Sequence, residues 1–107
     1  MKAWRRSGGL GPGAVTTTAT VTSISTDGSN IATVVFSAAV VSIGDVSKIE
    51  SNGNPGVAVV GGLGTQLVDV DFGAAVDPGQ PWTYTEPAAS VVYVGGETGV
   101  SSSGVNG

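Results

Sequence analysis

Two carboxylates, Asp69 and Asp71, are the only acidic side chains in this sequence whose spacing suggests chemistry. Residues two apart on a β-strand project from the same face, about 7 Å from each other. Together with a third oxygen donor, they would contribute to a Ca²⁺ site. The alternative, which we favour, is that they face solvent and discourage unwanted pairing of strand edges or sheet faces. The sequence therefore predicts no metal site. Asp69 and Asp71 are the weak candidates for metal ligands.

The residue types on which most enzymes depend are missing. The chain contains no His and no Cys, which excludes Ser-His-Asp and Cys-His arrangements, disulfides and thiolate metal sites. The glycine pairs at 61–62 and 95–96 do not open helices, so we expect no phosphate-binding loop there. These absences predict a protein that is not an enzyme and that uses no cofactor and no small-molecule substrate.

The basic residues are concentrated at the N-terminus. Lys2, Arg5 and Arg6 are three of the four basic residues, and the rest of the chain holds Lys48 against eight acidic residues, a balance of −7. An acidic body repels phosphates, so we expect no binding to nucleic acid. A basic tip on an acidic body is suited to docking onto an acidic patch, including that of a neighbouring copy.

Residues 1–13 are predicted to form a flexible basic arm ahead of a single domain over residues 14–107. The arm combines the basic residues with Trp4, followed by a stretch rich in Gly, Pro and Ser. Trp and Arg are favoured anchors at protein interfaces. We therefore predict partner binding by Lys2, Trp4, Arg5 and Arg6. The alternatives are a frayed terminus without a function and a Trp4 that folds back onto its own domain.

The composition of the chain indicates a surface that is poorly protected against association. Hydrophobic residues make up 40% of the 107 residues and charged residues only 11%, and the mean hydropathy is +0.28. The usual charged fraction is about 25%. No stretch approaches the roughly 20 apolar residues that cross a membrane, and the N-terminus does not resemble a signal peptide. We expect the protein to be synthesised in the cytoplasm and not to associate with a membrane.

The apolar residues alternate with polar ones over short segments that are separated by turn signals. Residues 66–72 alternate cleanly with a period of two, and residues 31–37 place Ala32, Val34 and Phe36 on the inward side. In residues 82–85 the two aromatics share one side, and residues 46–51 are predicted to form a weaker strand. Asn52-Gly53-Asn54-Pro55-Gly56 is the clearest turn. This pattern predicts an all-β fold, a two-sheet antiparallel sandwich of about seven or eight short strands. The residues predicted for its core are Val34, Phe36, Val68, Val70, Phe72 and Trp82.

Four stretches carry a resemblance to a known family, namely residues 21–28 (VTSISTDG), 33–40 (TVVFSAAV), 67–72 (LVDVDF) and 77–82 (DPGQPW). They resemble the bacterial and phage Ig-like domains first described in S-layer proteins. In that family an apolar-Phe-Ser motif ends a strand, a Gly-x-x-Trp turn, here Gly79 to Trp82, enters a late one, and a late Asn corresponds to Asn106. The resemblance implies an immunoglobulin-like sandwich and supplies no catalytic residues.

Short stand-alone members of this kind look like phage virion proteins. The resemblance thus implies a capsid decoration or head/tail accessory module, made in the host cytoplasm and located in the virion. Its expected partners are other virion proteins, such as capsid or tail subunits, and copies of itself. The alternative is a receptor- or carbohydrate-binding module, in which Trp82, Tyr84 and Tyr93 would form an exposed platform for sugars. Because Trp82 opens an alternating strand, we expect it in the core instead.

Overall fold

The computed structural model describes residues 17–107, and within this range the protein is built from short β-strands. These residues contain no α-helix, only a single turn of 3-10 helix at Val46–Lys48. The predicted all-β fold is confirmed. The strands, in chain order, are β1 (Thr18–Ala19), β2 (Val21–Ser25), β3 (Ile31–Phe36), β4 (Val40–Ile43), β5 (Ile49–Ser51), β6 (Asn54–Pro55), β7 (Ala58–Gly61), β8 (Leu67–Asp71), β9 (Pro81–Tyr84), β10 (Val91–Tyr93), β11 (Thr98–Gly99) and β12 (Ser102–Val105).

Eight of these strands form two four-stranded antiparallel sheets. Sheet I has the order β2-β3-β8-β7, and sheet II has the order β12-β9-β5-β6. The other four strands form two short ladders, β4 antiparallel to β10 and β1 parallel to β11. The described strands outnumber the predicted seven or eight because several of them are only two residues long.

Alternate residues of the two sheets meet in one hydrophobic core, which is the arrangement of a β-sandwich. Successive side chains on a strand point to opposite faces, so residues spaced by two share the buried side. The six residues predicted for the core are each at most 2% exposed; they are Val34, Phe36, Val68, Val70, Phe72 and Trp82. Full burial of such an apolar side chain contributes about 1.5–3 kcal/mol.

Aromatic side chains connect the strands through the core. Phe36 on β3 makes edge-to-face contacts with Tyr84 on β9 and Tyr93 on β10, with ring centroids 6.0 Å apart in both pairs. Such pairs contribute roughly 0.5–1.5 kcal/mol beyond the area they bury. Phe36 thus ties sheet I to sheet II and to the β4–β10 ladder.

The turns follow the local sequence, with one departure from prediction. Asn52 and Gly53 both have positive φ, 51° and 78°, and form the tight turn between β5 and β6. The prediction of a weak strand over residues 46–51 is wrong in its first half. There Asp45 accepts hydrogen bonds from the backbone and hydroxyl of Ser47, which favours a helical turn at Val46–Lys48.

Candidate functional site

The outward side of sheet I is the candidate interaction surface. Residues at odd positions of β3 and β8 point away from the core, and the strand register sets them side by side. Val35 lies opposite Leu67, Thr33 opposite Asp69, and Ile31 opposite Asp71. Edge strand β7 adds Ala58 beside Asp71 and an exposed Val60 at a β-bulge. We call these residues the outer face.

Apolar side chains on the outer face are open to solvent. Ile31 is 45% exposed, Val60 51% and Leu67 55%. In a typical half-solvated antiparallel sheet the outward positions are polar. The outer face therefore carries apolar groups that the other residues in the range 17–107 do not cover.

Two carboxylates lie between these apolar groups. Asp69 accepts a hydrogen bond from the hydroxyl of Thr33 at 2.7 Å, and Asp71 accepts one from the backbone N–H of Gly73 at 2.8 Å. Both side chains are half-buried. Among the described residues these bonds engage only one oxygen of each carboxylate, so each group keeps an oxygen for an external cationic donor.

The outer face does not supply a metal site on its own. Within residues 17–107 no three Asp, Glu, His or Cys side chains come together in a group that could hold a metal ion. A Ca²⁺ ion requires six to eight oxygen ligands, and two monodentate carboxylates fall well short of that number. The geometry fits recognition of a cationic side chain better than metal coordination.

A second set of exposed apolar residues lies on the β4–β10 ladder. Val41 is 49% exposed, Val92 52%, and Val94, directly after β10, 60%. Across the part of the chain that the structure describes, ten large apolar side chains are at least 40% exposed; the others are Ile31, Val57, Val60, Leu63, Leu67, Val100 and Val105.

The three aromatic residues considered for sugar binding are buried instead. Trp82 is 2% exposed, Tyr84 1% and Tyr93 2%. The hydroxyl of Tyr84 donates to the carboxylate of Glu86 and lies 2.9 Å from the hydroxyl of Tyr93. Burial, together with these hydrogen bonds, raises the pKa of Tyr84 well above its usual range, and burial is also the main cause that raises the pKa of Tyr93.

Glu86 is a structural residue that the sequence did not reveal. Its carboxylate accepts from the backbone N–H groups of Ser90, at 3.0 Å, and Val91, at 3.3 Å, in addition to Tyr84. It therefore fixes the loop between β9 and β10 to the buried tyrosines. The only available signal was a Glu two residues after a strand Tyr, which is too common a pattern to single out.

The predicted partner-binding residues of the arm, Lys2, Trp4, Arg5 and Arg6, lie outside the described residues. So does the first part of the predicted domain, residues 14–16. In the described range no pocket is found, and none of its helices is long and apolar enough to span a membrane. What residues 17–107 offer to a partner is therefore an open surface with apolar and acidic groups.

Comparison with known proteins found no match: no family model, no curated protein and no solved structure matches the chain.

Proposed function

We propose that this protein is a non-enzymatic structural protein of a virion, a capsid decoration or head/tail accessory module that attaches to neighbouring protein subunits. The observation that carries the proposal is the exposed apolar surface. Ten large apolar side chains in residues 17–107 are at least 40% exposed. Charged residues make up only 11% of the whole sequence. Exposed apolar groups on a surface with little charge favour contact with other proteins.

The order of the strands supports an immunoglobulin-like domain as the scaffold. Immunoglobulin sandwiches place their strands in the orders A-B-E-D and G-F-C. If β2, β3, β5, β7, β8, β9 and β12 are taken as strands A, B, C, D, E, F and G, sheet I has the order A-B-E-D and sheet II contains G-F-C. The sequence resemblance to phage Ig-like domains points the same way.

Carbohydrate binding has less support than assembly. Sugar platforms need aromatic rings at the surface, and each of the five aromatic residues in the described range is buried: Phe36, Phe72, Trp82, Tyr84 and Tyr93. The remaining aromatic residue of the chain is Trp4, in the predicted arm. We propose that Trp4 contacts protein subunits.

The proposal is tested by whether the protein occurs in intact particles. Virions from the biological source of the gene are purified on a density gradient, and the protein is quantified against the major capsid subunit. We expect a fixed stoichiometry that persists after a mild salt wash. A protein that stays at the top of the gradient, and that is monomeric in sedimentation velocity at every concentration, would show that the proposal is wrong.

The contribution of the arm is tested by deleting residues 2–12. The alternating sequence pattern begins near Val15, after this segment, so we expect a nearly unchanged melting temperature. Incorporation into particles should be lost or strongly weakened, because the deletion removes Lys2, Trp4, Arg5 and Arg6. Lys48→Gln is the matched control, since it removes a cation from the body and should leave incorporation intact.

A further inference from the structure

We propose that the outer face of sheet I is the docking site for the N-terminal segment, residues 1–13, of a neighbouring copy. In this arrangement the basic residues of the segment lie against Asp69 and Asp71, and Trp4 covers the exposed apolar groups around Leu67. The inference rests on the proposed assembly function and identifies the surface and the partner segment that it uses.

The occupant of the outer face has to be both apolar and basic. Ile31, Val60 and Leu67 are about half exposed and gain from being covered, which favours an apolar occupant. Asp69 and Asp71 stand between them with one carboxylate oxygen each unused in the described hydrogen bonds. Two copies packed outer face to outer face would bring four carboxylates together, and such like-charge contact opposes that pairing.

Only one region of the chain has the required chemistry. Lys2, Arg5 and Arg6 are the only clustered cations, and Trp4 lies among them. Lys48, the other basic residue, ends the 3-10 turn that leads into β5 of sheet II. The described residues are otherwise acidic where they are charged, so charge complementarity selects the N-terminal segment over any other part of a second copy.

The spacing of the two partners is compatible. Side chains two residues apart on an extended chain project to the same side about 7 Å apart, which applies to Asp69 and Asp71 on β8. Lys2, Trp4 and Arg6 have the same spacing in the sequence. An extended segment would thus place Trp4 about 7 Å from Lys2 in one direction and from Arg6 in the other. This matches the spacing of Leu67 and Asp69 on β8, so that with Trp4 over Leu67 one of these two cations lies over Asp69.

The length of the segment between Arg6 and the described residues sets how far Arg6 can reach toward a neighbouring copy. Ten residues, 7–16, separate Arg6 from the first described residue, and a chain of that length spans at most about 33–36 Å. Exposed ion pairs alone contribute little. Burial of the Trp4 indole against Leu67 and Val60 is therefore needed as well, and this explains why the outer face is mixed rather than purely acidic.

The test uses the full-length protein and its self-association in sedimentation velocity. Asp69→Asn/Asp71→Asn removes both charges, while each Asn keeps an oxygen to accept the hydrogen bond that the Asp accepted. The matched control is Asp27→Asn/Asp77→Asn, which removes the same charge from two exposed loop residues. We expect the first variant to weaken association at least tenfold and the control less than twofold.

A double-mutant cycle tests whether the N-terminal segment and the outer face interact directly with each other. Lys2→Gln/Arg6→Gln, which removes the two cations on the side of Trp4, should weaken association as much as the Asp69→Asn/Asp71→Asn variant, and the combined variant should lose little more. Iodide quenching of Trp4, obtained as the difference between the parent and Trp4→Phe, should fall on association and should depend on the two aspartates. Raised salt should reduce association of the parent and have less effect on the combined variant.

The outcomes separate this inference from the proposed function. Association that is undiminished in the Asp69→Asn/Asp71→Asn variant, or additive losses in the cycle, would overturn the outer face as the docking site and leave the assembly function standing. A chain that is monomeric but shows aspartate-dependent protection of Trp4 would place the segment on its own domain and overturn docking between copies. Absence from particles together with absence of association would instead overturn the proposed function.

Discussion

Replacing Trp82 with alanine is the most informative single perturbation of this fold. Trp82 lies on β9 between Ser51 of β5 and Gly104 of β12, and it is 2% exposed. A Cβ atom built on Gly104 would come within 2.8–3.0 Å of the indole ring, so the ring lies directly against that glycine. Truncation of a buried Trp to Ala removes this packing and leaves a cavity, which costs about 3–5 kcal/mol.

A loss of this size is a large part of the total stability of the domain. At roughly 0.05–0.15 kcal/mol per residue, residues 17–107 would have a stability of about 5–14 kcal/mol. In a domain of this size each kcal/mol shifts the melting temperature by roughly 4–8 °C, so Trp82→Ala should melt at least about 12 °C lower. Calorimetry and urea denaturation measure the change. Val41→Ala, at a position 49% exposed and outside the outer face, is the control and should change stability by at most about 0.5 kcal/mol.

Fluorescence gives an independent measure of the same environment. Trp4→Phe leaves Trp82 as the only indole of the chain, because the sequence has two Trp residues. Its emission should be blue-shifted, resistant to iodide and unaffected by added sugars. A loss near 0.5 kcal/mol in Trp82→Ala, together with emission that responds to sugars, would refute the placement of Trp82 in the core and favour carbohydrate binding.

Two further predictions concern a turn and the buried tyrosines. Gly62→Ala should cost about 2–5 kcal/mol in urea denaturation, because Gly62 has a φ of 88° and an added Cβ would overlap the backbone of the facing strand; an unchanged denaturation midpoint would contradict this turn geometry. The raised pKa values of Tyr84 and Tyr93 predict that stability is fully present below about pH 10, the pKa of an unfolded tyrosine, and falls above it by up to about 1.4 kcal/mol per pH unit for each group. Tyrosinate absorbance should then appear together with loss of the β-type circular dichroism, and ionisation that precedes unfolding would be contrary evidence.

The core of the fold could be predicted from the sequence because β-strands have a period of two. In β8 the alternation of Val68 and Val70 with Asp69 and Asp71 fixes which side is buried, without knowledge of the partner strands. In β3 Val34 and Phe36 share the buried side, although Ile31 and Val35 on the other side are also apolar. The turn at Asn52-Gly53 could also be predicted from the sequence, since Asn and Gly tolerate the positive φ that a two-residue hairpin requires. These features are local, so a single sequence contains them.

Features that depend on contacts between distant segments could not be predicted from the sequence. The outer face exists because the register sets Ile31 beside Asp71 and Val35 beside Leu67, and these pairs are more than 30 residues apart in the chain. The parallel pairing of β1 with β11 brings the two ends of the described chain together in the same way. The helical turn at Val46–Lys48 is local, but its signal was a single capping Asp ahead of a mixed apolar and polar stretch that also suits a strand.

In the proposed assembly, the placement of Asp69 and Asp71 would let a weakly charged domain associate without aggregating. Exposed Ile31, Val60 and Leu67 would by themselves favour contact with any apolar surface, including the same face of another copy. Two carboxylates among them oppose that contact, because desolvating an unpaired charge costs far more than a few apolar side chains gain. A partner that brings its own cations neutralises this cost. The same two residues would therefore exclude like faces and select a basic segment, so that specificity comes from charge while affinity comes largely from apolar burial.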